Sequence, residues 1–173
     1  MTTLMKTLHG KAWLFGNNIN TDIIIPFRFK SRTNDPLELA HYCMFGVDPE
    51  FPKKIAKGDI IVTGKNFGGG SSREQAPIAI KYAGISAVIA ESFSRIFTRN
   101  AFAIALPILE VKDTLKNFSQ GDKLEIDLEK QLVKNTRTKK TFTAKKWPDF
   151  LVNILREDGL KEYYKKHKRF PWE

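Results

Sequence analysis

The rhythm of hydrophobic and polar positions changes near residue 120. Before it, short solid apolar runs recur: Ile60-Ile61-Val62, Ile85 to Ala90 and Leu106 to Val111. Runs of this length, bounded by turn residues, predict strands buried on both faces. Gly10 to Gly16 shows partial alternation and aromatic content and predicts an opening strand. Helical segments lie between the runs. Asn34 or Asp35 caps one, with Pro36 in its first turn, and it continues through Leu37, Leu39, Ala40, Cys43 and Met44 to Gly46. A second covers Ala76 to Ala83 and stops at Gly84. Ser92 caps a third that runs through Arg99. Strand, helix, strand predicts a parallel unit.

From Gly121 the pattern is different. Lys123-Leu124-Glu125-Ile126-Asp127-Leu128 alternates strictly, as a half-exposed antiparallel strand does. Gln131-Leu132-Val133 and Thr141-Phe142-Thr143 extend it into a small β meander. Pro148 to Arg156 reads as an amphipathic helix, Gly159 breaks it, and Leu160 to His167 forms a last helix. The class predicted is α/β, with a C-terminal meander and helices. A length of 173 residues without repeats or low-complexity linkers predicts a single domain over 1–173.

The connecting stretches read as follows. Asn17 to Asp22 is turn chemistry, with Asp22 accepting backbone N–H groups in an Asx-type turn. Ile23-Ile24-Ile25 is a short apolar run stopped by Pro26. Phe27 to Asn34, with Arg28, Lys30 and Arg32, reads as a mobile polar loop. Asp48 to Lys57 holds two prolines and one short turn of helix.

One stretch carries candidate chemistry: Gly64-Lys65-Asn66-Phe67-Gly68-Gly69-Gly70-Ser71-Ser72-Arg73-Glu74-Gln75-Ala76-Pro77. It joins a buried strand to a helix. Three successive glycines let backbone approach a ligand without Cβ clashes. A helix start offers unpaired N–H groups and partial positive charge to an anion. Arg73 can grip a carboxylate or phosphate through two parallel hydrogen bonds. A plainer reading stands beside this one, since Ser71 with Glu74 and Ser72 with Gln75 each fit a capping box. A cap needs one serine, however, and explains neither the glycines nor the arginine. The Gly-Lys-Ser/Thr ending of a P-loop is absent, and so is the third glycine of G-x-G-x-x-G.

Composition narrows the classes. The single cysteine, Cys43, excludes an intrachain disulfide and an iron–sulfur cluster held by cysteines of this chain alone. His9, His41 and His167 form no close-spaced metal motif. Residues 1–11 lack the apolar stretch of a signal peptide, and no run approaches the ~20 residues that span a bilayer. The expectation is a soluble cytoplasmic protein. Net charge is +10. It leans C-terminal, with 13 Lys+Arg against 9 Asp+Glu up to residue 110 and 16 against 10 beyond it. Such an excess fits a solvated basic surface or an acidic partner. The aromatic-plus-basic signatures of ribonucleoprotein domains are missing, which argues against nucleic acid.

Asn-Phe-Gly-x-Gly-Ser-Ser-Arg-Glu-x-Ala-Pro resembles the signature of the aconitase-superfamily swivelling domain. In its free-standing form that domain is the small subunit of 3-isopropylmalate dehydratase and its relatives. Asn20-Thr21-Asp22-Ile23-Ile24-Ile25-Pro26 is similar to the family's opening motif. Glu91-Ser92-Phe93-Ser94-Arg95-Ile96-Phe97, through Asn100 to Leu106-Pro107-Ile108, is similar to its closing one. The resemblance implies a hydro-lyase that isomerises 2- and 3-isopropylmalate by dehydration and rehydration, in leucine biosynthesis. It implies that a large subunit holds a [4Fe–4S] cluster and that this chain is active only with that partner. It implies that Ser71 is the base, that Ser72 and Arg73 bind substrate carboxylate, and that Gly70 also binds substrate. Ala103 and Ala105 depart from the asparagine and glycine common in the family.

The resemblance also points to substrate choice in the loop after Thr-Asp, where Arg32 could meet a third carboxylate, as in homoaconitate, unless a loop one residue longer puts Ser31 at that position. A homoaconitase-type small subunit is therefore the alternative. A non-catalytic basic RNA-binding or scaffold protein on the same fold is a second one.

Overall fold

The computed structural model describes residues 5–173. Among them, β1 (Thr7–Leu14), β2 (Ile60–Val62), β3 (Ala87–Ala90), β4 (Ile108–Glu110), β5 (Lys123–Asp127), β6 (Leu132–Asn135) and β7 (Lys140–Thr143) form one seven-stranded sheet. Its order is β4-β3-β2-β1-β5-β6-β7. The first four strands pair in parallel, with Trp13 opposite Ile61, Ile61 opposite Val88 and Ile89 opposite Leu109. The last three pair antiparallel and join the sheet through β1, where Leu8 faces Ile126. The two pairing modes meet at β1, and all three strands on its antiparallel side come from beyond the change of rhythm in the sequence.

Period-two geometry sends alternate side chains to opposite faces. On one face Ile61, Val88 and Ala90 pack with helical residues such as Leu39, Phe51, Ile80 and Phe102. On the other, Ile60, Val62, Ala87 and Ile89 pack with Leu124, Ile126 and Val133 from the antiparallel half and with Phe118, which follows the short helix Thr114–Asn117. The curled antiparallel half thus covers the back of the parallel half. Both faces of β2 and β3 are buried, which is why their sequences are solid apolar runs.

The helical segments are α1 (Thr21–Ile24), α2 (Phe27–Lys30), α3 (Pro36–Ala40), α4 (Phe51–Lys54), α5 (Gln75–Tyr82), α6 (Arg95–Ala103), α7 (Thr114–Asn117), α8 (Asp149–Arg156) and α9 (Leu160–His167). Asp35, not Asn34, caps α3 by accepting from Leu37 N and Glu38 N. Ser94, not Ser92, caps α6, accepting from Phe97 N. Among the described residues, no helix is long and apolar enough to cross a membrane.

Two readings of the N-terminal third are corrected. Asp22 is not the Asx residue. Asn20 takes that part, accepting from Ile23 N at 2.9 Å and capping α1, while Asp22 accepts from Lys30 Nζ at 2.6 Å. Phe27 to Asn34 is not a loose loop. It contains α2, and Phe29 stacks on Tyr42 with centroids 3.9 Å apart. Arg28 lies over the Phe29 ring at 4.7 Å. The Lys30 side chain, 1% exposed, is carried inward to its ion pair. Charged side chains can bury long apolar stems when the head finds a partner, so a basic run need not be a solvated one.

Candidate functional site

The glycine-rich stretch leaves the carboxyl end of β2, where open parallel sheets gather their ligand sites. Two distant segments fix its path. From the chain after β1, Ile19 O accepts from Gly68 N at 2.7 Å, and Thr21 N donates to Gly69 O at 2.9 Å. Asn17 Oδ1 accepts from Lys65 N, and Asn18 Oδ1 from Asn66 Nδ2. From the chain after β3, Ser92 Oγ accepts from Asn66 N at 2.8 Å, and Ser94 Oγ donates to Gly68 O at 2.7 Å. The three motifs singled out in the sequence therefore meet at one place.

The glycines have separate tasks. Gly68 has φ +76°, and a Cβ there would lie 2.3 Å from Phe97 Cγ. Its lack of a side chain admits the Phe97 ring rather than a ligand. Gly70 has φ +91° and an exposed, open surrounding, so it supplies the turn that presents Ser71.

Neither serine caps α5. That helix begins at Gln75, its flanking residue Glu74 has helical dihedrals, and no side chain caps it. Ser71, Ser72 and Arg73 stand in the loop before it, with Ser72 exposed and the other two half-buried. The Ser71 hydroxyl accepts from Arg73 Nε at 3.0 Å, and Ser71 O accepts from Arg73 N at 2.8 Å. Thr21 Oγ1, buried, donates to Ser71 O at 3.3 Å. The Arg73 guanidinium lies over the Phe27 ring, 5.0 Å from its centroid. An open cleft of about 450 Å³ is lined by Ser71, Ser72, Arg73, Glu74, Gln75 and Asn100.

Four of the five expected site residues thus share one loop, and Ser71, Ser72 and Arg73 line one cleft. Arg32 follows α2, is exposed, and is not among the residues lining that cleft. Asn100 on α6 was not among the expected site residues. Its presence in the closing motif, about one and a half turns into a helix whose start holds Gly68, is the signal that could have found it. Phe27, which the sequence places in a mobile loop, opens α2 against Arg73.

Arg73 has five N–H donors in a planar fork. Nε is used on Ser71, and those of Nη1 and Nη2 have no partner among the described residues. The site can therefore favour an oxyanion at Ser71 and bind a second anion with the rest of the fork. It cannot supply an iron–sulfur cluster. Cys43 is fully buried among apolar residues, which pushes its thiol pKa up, and a thiolate is what such a cluster needs.

A serine–arginine loop carried on a parallel sheet and backed by an antiparallel meander defines an aconitase-type swivelling domain. A family model described as "Aconitase C-terminal domain" matches residues 44–114. The chain is 51% identical to the 3-isopropylmalate dehydratase small subunit of Ruminiclostridium cellulolyticum, over 90% of this chain and 95% of that one. It is 51% identical to the isopropylmalate/citramalate isomerase small subunit of Methanocaldococcus jannaschii, over 94% and 96%. The crystal structure of a 3-isopropylmalate dehydratase from M. jannaschii superposes with a TM-score of 0.89 at 47% identity, covering 94% and 96%. The chain belongs to the family of 3-isopropylmalate dehydratase small subunits.

Proposed function

We propose that this chain is the small subunit of a hydro-lyase that interconverts 2- and 3-isopropylmalate in leucine biosynthesis, its 173 residues acting as one swivelling unit. The observation that carries the proposal is the hydrogen bond from Arg73 Nε to Ser71 Oγ at an open cleft. A serine hydroxyl is a weak base at neutral pH. A charge-assisted hydrogen bond is worth about 1.5–3 kcal/mol and favours the alkoxide about 10- to 150-fold. The helix dipole adds little, because α5 starts four residues after Ser71 and its influence fades within a turn. Closing the cleft against a partner excludes water and strengthens the remaining electrostatics.

In this reading Ser71 takes the proton from the carbon beside a substrate carboxylate and returns one on rehydration. The free Nη groups of Arg73, the Ser72 hydroxyl and the exposed backbone at Gly70 hold that carboxylate. The donor set of this chain does not fit an iron–sulfur cluster, so we assign the [4Fe–4S] group of the aconitase superfamily to a large-subunit partner. Isopropylmalate is favoured over homoaconitate because Arg32 stands outside the cleft lining. The basic C-terminal run is partly neutralised, Lys165 pairing with Glu162 and Lys166 with Glu157, which weakens the case for RNA binding.

The test is reconstitution. Purified chain alone is expected to be inert, and mixing with a cluster-loaded large subunit is expected to give isopropylmalate turnover that Ser71→Ala abolishes. Activity without a partner, or an active Ser71→Ala complex, would overturn the reading. Arg32→Ala is expected to reduce turnover of 3-isopropylmalate and homoaconitate equally.

A further inference from the structure

Phe27 opens α2 with its ring 56% exposed, beside a core that buries Phe51, Phe67, Phe97 and Phe102 almost completely. It adds little to that core. What the ring does meet is cationic: the Arg73 guanidinium at 5.0 Å from its centroid and the Lys30 ammonium at 5.9 Å. Lys30 is held in turn by Asp22, and Asp22 sits on α1 directly after Thr21, which binds Ser71 O. The second cation beside the ring is therefore anchored on the same short helix that holds the backbone of the serine.

We propose that Phe27 is a positioning residue for Arg73. An arginine side chain has several rotatable bonds and loses considerable rotamer freedom on ordering. Only one of its five donors, Nε, bonds Ser71. A single hydrogen bond fixes a direction but leaves the guanidinium plane free to turn. An aromatic face beneath the plane removes that freedom, since guanidinium groups stack on rings. With Phe27 in place, Nε points at Ser71 Oγ while Nη1 and Nη2 stay available for a carboxylate. The inference rests on the proposed roles of Ser71 and Arg73, and it assigns Phe27 no contact with the reacting atoms.

The test uses the reconstituted complex and the isolated chain together. Phe27→Leu removes the aromatic face and keeps an apolar side chain. It is expected to lower kcat about two- to fivefold, the scale of an exposed cation–π contact, and to move the acidic limb of the kcat profile to higher pH as the alkoxide loses support. Phe27→Tyr keeps the face and is expected to restore both. In the isolated chain, the Arg73 Nε–H proton resonance is expected to lose its ring-current shift in Phe27→Leu and to keep it in Phe27→Tyr. The thermal midpoint is expected to be unchanged in either variant. A Phe27→Leu complex with wild-type kcat and pH limb, while Ser71→Ala is dead, would overturn the positioning role alone. An active Ser71→Ala complex would overturn the underlying assignment, whatever Phe27 does. An unmoved Arg73 resonance would overturn the stacking itself.

Discussion

The two halves of the sheet solve opposite problems. The parallel half, β1 to β4, buries both faces of its central strands β2 and β3 and leaves its chemistry to the loops at its carboxyl ends. The antiparallel half, β5 to β7, buries one face and holds its corner with a polar hub. There Asp122, 3% exposed, accepts from Ser119 N, Asn135 Nδ2 and Arg137 Nε. The first half spends irregular backbone on a site, and the second uses polar side chains for shape alone. If that division is right, changes in one half should move activity and changes in the other should move only stability.

The largest effect is expected at Gly68. Gly68→Ala combines left-handed backbone with a Cβ against Phe97, costing about 3–4 kcal/mol. The shift it forces on the loop is expected to lower kcat of the reconstituted complex roughly 100-fold, as misplacement of about 1 Å does. Urea titration and steady-state kinetics would read the two losses together.

Asp122→Ala comes next. It leaves four donors without their acceptor, Arg137 giving both Nε and Nη2, and is expected to cost about 2–3 kcal/mol in urea unfolding, with kcat of the folded fraction unchanged. An activity loss beyond the unfolded fraction would break the division. The same carboxyl gives a pH signature. Arg137, with help from Ser119 N and Asn135, holds its pKa below the ordinary 3.8. Its stabilisation is therefore complete above about pH 4 and lost as pH falls through the lower folded value. Acid titration of stability is expected to show this loss in the wild type and not in Asp122→Ala.

The smallest effect is expected at Ala105, which adopts φ +54° after the end of α6. Ala105→Gly relieves that strain and is expected to add about 0.5–1 kcal/mol of stability. It lies outside the cleft lining, so activity should not change. A changed kcat in that variant would place the departure at Ala105 in the chemistry rather than the fold.

Most strands were legible because their periods are clean. The solid runs before residue 120 and the alternation at Lys123 to Leu128 each reappear as predicted, with Leu124 and Ile126 inside and Lys123 outside. The serine–arginine loop was legible because its residue types have few structural uses together. Misread positions share one cause, that a polar residue's partner is invisible in sequence. Ser92 and Ser94 both suit a helix start, but only Ser94 reaches Phe97 N, while Ser92 turns to Asn66 N. Lys30 looks solvated until Asp22 is placed beside it. The C-terminal charge excess reads as a solvated surface, yet the turn after α8 brings Glu157 to Lys166. Asn34 lost the cap to Asp35 and instead accepts from Gln75 Nε2, a contact 41 residues apart.

The lacing of the glycine-rich loop has a kinetic meaning. Its ties reach back about 48 residues to Asn17, Asn18 and Ile19 and forward 26 to Ser92 and Ser94. Contacts of that separation form late, because the intervening chain must first give up its freedom. The serine–arginine pair therefore exists only in a chain that has finished folding. Amide hydrogens at Gly68 and Thr21 should exchange together, in the slow class set by cooperative opening. A protein that docks on this loop selects completed chains and passes over partly folded ones.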